Sequence, residues 1–147
     1  MKKRILSLFI LLSAATATMA YNSILAKLVK TDYEGKADSL TKVFIKEFMN
    51  TSKGTFWVTP KGVNSSNTYI YWQQAHAIDV VIYAYQRNLA AGNKTQANLY
   101  KNYVSKWFQN KGNNYSGGST GFENPYTDDM CWIALTLQRM GEVFNNN

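Results

Sequence analysis

Two adjacent carboxylates, Asp128 and Asp129, come nearest to a reactive pair in this chain. They sit in the stretch GFENPYTDDMCWIALTLQRM, from Gly121 to Met140, between a Gly/Ser/Asn-rich loop and an apolar run. Pro125 disfavours helix at Asn124, the residue before it. Thr127 suits an N-cap, which puts both aspartates in the first turn of a helix. Met130, Ile133, Ala134, Leu137 and Met140 then recur at helical spacing. Two explanations stand side by side. Free backbone N–H groups and the positive end of the helix dipole favour acidic residues at such a position without any chemistry. The second explanation is catalytic. Neighbouring helix positions point about 100° apart, yet their carboxyl groups can lie within several Å of each other. Glycosidases that retain anomeric configuration hold two carboxyls about 5–5.5 Å apart. Like charges that close push one pKa up, while the helix terminus favours ionisation of the other. One acid and one nucleophile can thus arise from identical side chains.

Other reactive residue types are sparse. The single cysteine, Cys131, has no internal disulfide partner, and the single histidine, His76, is distant in sequence. Cys131 is expected to be a buried small apolar residue. His76 stands three residues before Asp79, but two ligands do not make a metal site. A core histidine bonded to Asp79 or to a cleft-lining group is the expectation. No Gly-rich phosphate loop follows a strand, and no serine sits in a nucleophile elbow.

The elements that must position the aspartates begin after residue 20. Lys2, Lys3 and Arg4, the apolar run Ile5 to Ala15 and a small residue at Ala20 predict an export signal over 1–20. That apolar run is too short to span a bilayer. It implies a periplasmic or extracellular destination with no stable membrane insertion once the signal is cleaved. Residues 21–147 then form one domain, large enough for a core. Net charge is +7, about +4 once Lys2, Lys3 and Arg4 are removed. The remaining lysines are scattered and form no basic stripe, which argues against a nucleic-acid partner.

Periodicity predicts an all-α domain. A short helix is expected over Ser23–Leu28. A longer one over Asp32–Asn50 carries Leu40, Val43, Phe44, Glu47 and Phe48 at a period near 3.6. Gly54, Pro60 and Gly62 break the pattern over Thr51–Asn67. Phe56, Trp57 and Val58 lie within this break, as a plug at the core edge or a sugar-stacking platform. Tyr69–Ala91 is apolar on more than one face, which suits a helix sandwiched between neighbours. Trp72, Gln73, Gln74, His76 and Asp79 crowd its first turns. Thr95–Asn110 is more amphipathic, with Leu99, Tyr103, Val104, Trp107 and Phe108 expected inward. Wetter and drier helices alternate, and each drier one follows a polar, Gly-containing loop. Gln73 and Gln74 fall where Asp128 and Asp129 fall in a two-helix repeat. This pattern suggests concentric helical layers with polar N-termini meeting at one end, where a site would form.

Tyr71 to Arg87 (YWQQAHAIDVVIYAYQR) and Asn124 to Met140 (NPYTDDMCWIALTLQRM) together resemble glycoside hydrolase family 76, whose bacterial members are endo-α-1,6-mannanases. The resemblance extends over most of residues 21–147. It implies antiparallel helical hairpins forming an incomplete part of an (α/α)6 barrel. It also implies a retaining mechanism with Asp128 as nucleophile and Asp129 as general acid/base. Trp72, Gln73 and Tyr126 match cleft-lining positions, the implied partner is the α-1,6-linked mannan backbone, and the resemblance implies no metal or organic cofactor. The chain accounts for about two of six hairpins, so only the N-terminal part of such a barrel is expected. Two alternatives are a non-catalytic exported module that binds glycan through Trp57 and Trp72, and an inactive fragment.

Overall fold

The structure, a computed structural model, describes residues 32–63, 71–113 and 121–145. The export signal over 1–20 and the short helix expected over Ser23–Leu28 lie outside them. The chain divides into two units, Met1–Ala37 and Asp38–Asn147. Of the first, residues 32–37 are described; they are helical, and Lys36 pairs with Asp32 one turn away.

The second unit is mostly helical. It contains α1 (residues 38–48), a two-stranded hairpin of β1 (Met49–Asn50) and β2 (Thr55–Phe56), α2 (Tyr71–Ala90), α3 (Lys94–Gln109) and α4 (Thr127–Phe144). The central element is α2. Its buried residues Ile78, Val81, Ile82 and Tyr85 join Ala97, Tyr100, Val104 and Trp107 of α3 in one apolar core. A tight turn makes these two helices antiparallel. Gly92 takes φ +77, the Asn93 amide donates to Asn88 O (2.8 Å), and Asn93 caps α3 through Gln96 N.

Polar contacts rotate α1 away from its expected register. Arg87 Nε donates to Asp38 Oδ1 (3.1 Å), Arg87 Nη2 to Thr41 Oγ1 (3.2 Å) and Asn88 Nδ2 to Asp38 Oδ2 (3.0 Å). Satisfying these groups turns Thr41, Ile45 and Met49 inward and leaves Leu40 and Val43 exposed. Phe44 keeps its inward role, stacking on Phe48 and Phe56 at 5.6 and 5.2 Å.

The hairpin, whose first strand is expected as the end of the helix over Asp32–Asn50 and whose second falls in the expected break, pairs Met49 with Phe56 and Asn50 with Thr55. Asn50 Oδ1 accepts from Ser52 N, Ser52 Oγ and Lys53 N, which closes the turn. Gly54 lies at φ +73, where a Cβ would stand 2.6 Å from Trp107 N and Tyr103 O. Only glycine lets the hairpin seat on the α3 backbone. Gln74 of α2 completes the attachment, accepting from Phe56 N (2.9 Å) and donating to Phe56 O (2.8 Å).

Helix α4 runs parallel to α2. Residues paired between them advance together along both chains: Tyr71 with Phe122, His76 with Trp132, Asp79 with Arg139, and Tyr85 with Phe144. The N-termini of α2 and α4 therefore meet at one end, as the alternation of wet and dry segments predicts. The expectation that α4 is a dry helix fails. Ile133, Thr136 and Val143 are buried, but Cys131, Trp132 and Leu135 are exposed, because neighbouring elements cover one side only. Leu99 and Phe108 of α3, expected inward, are exposed for the same reason.

Candidate functional site at the joined helix N-termini

The approach to Asp128 and Asp129 is fixed from the core outward. The Phe122 ring packs against Trp107 and Phe108 at 5.7 and 5.5 Å, and its carbonyl accepts from Tyr71 Oη at 2.7 Å. The buried Asn124 side chain accepts from Tyr126 N at 2.9 Å, turning the chain into α4. The cap residue of α4 is Tyr126, without a side-chain cap bond, so Thr127 is its first helical residue rather than its cap. Both aspartates remain in the first turn as expected. Asp128 is exposed and Asp129 half-buried.

The two carboxyls differ in environment. Burial, and then the negative charge of Asp128, holds the Asp129 carboxyl above its ordinary range. Closeness of like charge is the cause expected from the sequence; partial burial is the larger one. Tyr71 at the base of α2 feels the same neighbourhood. Burial and then the charge of Asp129 push its phenol well above its usual value, so it stays a neutral donor to Phe122 O.

The first turn of α2 carries Trp72 and Gln73, both exposed. Tyr126 is exposed at the entry to α4. Gln73 also lines a groove of about 360 Å³, with Phe44, Phe48, Phe56, Trp57 and His76. Trp57 is half-buried in that wall, with its indole against Gly62. Neither aspartate lines this groove.

His76 departs from its expected role. It is exposed and makes no hydrogen bond to any described residue; Asp79 pairs with Arg139 instead. Its ring lies between Trp72 (centroids 5.6 Å, edge-on) and Trp132 (4.7 Å, tilted). Trp132 follows Asp128 by four residues and so shares its helix face, a signal that the sequence held and that periodicity arguments about the core passed over. Cys131, expected to be buried, is exposed.

One property unites the groups at this end. Asp128, Asp129, Gln73 and His76 have no hydrogen bond or ion pair with any described residue. Deeper between the helices Gln74 pairs with Phe56, Asp79 with Arg139 and Asp38 with Arg87, although Asp79 Oδ1 and Trp107 Nε1 are buried without a hydrogen bond to any described residue. Among the described residues, no group of three or more His, Cys, Asp or Glu side chains could hold a metal ion, and no helix is long and apolar enough to cross a membrane. No protein-family model, no curated protein and no solved structure matches this chain.

Proposed function

We propose that this chain carries the carboxylate pair of a retaining glycoside hydrolase acting on α-1,6-linked mannan, within part of an (α/α)6 barrel. The observation that carries the reading is the unequal, unpaired aspartate pair where α2 and α4 begin. A retaining glycosidase needs one carboxyl ionised as nucleophile and one still protonated as acid. Asp129, raised by burial and by its neighbour, suits the acid that protonates the glycosidic oxygen. Asp128, the more exposed of the two, suits the nucleophile that forms the glycosyl–enzyme bond. Asp129 then takes a proton from the water that hydrolyses this intermediate. Trp72, Gln73 and Tyr126 would line the sugar path. The mannan backbone as substrate comes from the sequence resemblance.

The barrel reading draws on the parallel course of α2 and α4, with α3 antiparallel beside them. Between α3 and α4 an apolar groove of about 500 Å³, lined by Val104, Phe108, Leu137, Met140 and Phe144, is where a further hairpin would pack.

The test is release of reducing sugar from α-1,6-mannan by the purified chain, Asp128→Asn and Asp129→Asn. The expected result is turnover with retained anomeric configuration in the parent, lost in both variants. Hydrolysis that survives both substitutions contradicts the mechanism. The exposed aromatic rings favour a second reading, glycan binding without cleavage. It predicts mannan binding by all three proteins and turnover by none.

A further inference from the structure

Three aromatic rings lie together near the carboxylates, and the proposed chemistry gives a task to Trp72 alone. Trp72 and Trp132 are 41% and 45% exposed, and His76 lies in ring contact with both. The cluster joins the two helices one turn below the aspartates: Trp72 and His76 on α2, Trp132 on α4.

We infer that Trp132 and His76 form a pyranose subsite adjoining the carboxylate pair, in which the Trp132 indole carries the apolar face of one sugar ring and His76 bonds its hydroxyl edge. This rests on the glycosidase reading for the class of ligand. A helix packed over these rings would bury the His76 imidazole, whose nitrogens have no partner among the described residues. Such burial without a hydrogen bond is costly. A wholly apolar occupant has the same defect. A pyranose offers both surfaces at once: a patch of C–H groups for an indole face, and hydroxyls that donate to or accept from an imidazole.

The position fits as well. Trp132 lies one helical turn from Asp128 on the same face, so a ring resting on it neighbours the ring being cleaved. His76 also lines the groove that holds Gln73 and Trp57. A linear glycan leaving the subsite on the α2 side meets that groove next.

The experiment measures binding with cleavage switched off. The full chain carrying Asp129→Asn is titrated with α-1,6-linked mannotetraose, followed by tryptophan fluorescence and calorimetry. Adding Trp132→Ala should weaken binding by about tenfold or more, and Trp132→Phe should restore part of it. Adding His76→Ala should weaken binding less, with partial rescue by His76→Gln. Trp132 is exposed, so far-ultraviolet circular dichroism should match the parent in each variant. Equal binding in all variants overturns the subsite and leaves the carboxylate chemistry standing. Absence of binding in every protein, Asp129→Asn alone included, overturns the glycan reading and the subsite with it.

Discussion

The two glutamines at the start of α2 stand side by side and behave in opposite ways. Gln74 is buried, and its amide makes two hydrogen bonds to the Phe56 backbone. Gln73 is exposed, has no partner among the described residues and faces a groove. The aspartates divide in the same manner: Asp79 is clamped to Arg139, whereas Asp128 and Asp129 pair with nothing described. One layer of polar groups is consumed in holding helices together. The other, at the joined N-termini, has no side-chain partner among the described residues. Residue type does not separate the two; the register of each helix does.

That contrast can be strained from both sides. The largest effect on stability is expected in the core beneath the site, where Trp107 is fully buried against Phe122 and Gly112. Trp107→Ala should cost about 3–5 kcal/mol, seen as a lower midpoint in urea. Next comes the glutamine pair. Gln74→Leu orphans a buried donor and a buried acceptor at Phe56, at about 1–3 kcal/mol for each group left unsatisfied. Gln73→Leu should stay within about 0.5 kcal/mol of the parent. Equal losses in the two variants would erase the distinction between a structural and a free layer.

The smallest effect concerns pH. The folded state holds the Asp129 proton to a higher pH than the unfolded chain does, above the ordinary value of 3.8. Its contribution to stability is therefore fully present below that value and declines as pH rises through the folded one. Asp129→Asn removes the decline. The variant should match the parent in acid and melt slightly higher at neutral pH. A variant that melts lower than the parent at neutral pH would show that Asp129 is held by a stabilising partner. Under the proposed mechanism the same substitution abolishes turnover.

Much of this was legible before any coordinates. The 3.6 period located three long helices to within a residue or two at their described ends, and the order of wet and dry segments anticipated that α2 and α4 begin at one end. What periodicity could not deliver was the rotation of each helix. In α1, Leu40 and Val43 fit an apolar face, but Asp38 and Thr41 are turned inward to meet Arg87 and Asn88, and that tertiary demand prevails. The strands of the hairpin are two residues each, too short for alternation to show. Cys131 looked like core because its neighbours are apolar, yet the face it occupies has no covering element among the described residues. Sequence spacing pairs His76 with Asp79, but Arg139, sixty residues on in α4, takes the Asp79 carboxylate.

Under the proposed function, the unpaired polar layer receives a glycan while the paired layer holds the helices together. Backbone and side-chain NMR shifts of Asp129→Asn, recorded with and without α-1,6-linked mannotetraose, address it most directly. The prediction is a set of shifts centred on Gln73, His76, Asp128 and Trp132, with Gln74, Asp79 and Arg139 little changed. Shifts concentrated on the Asp79–Arg139 layer, or none at all at saturating sugar, would contradict it.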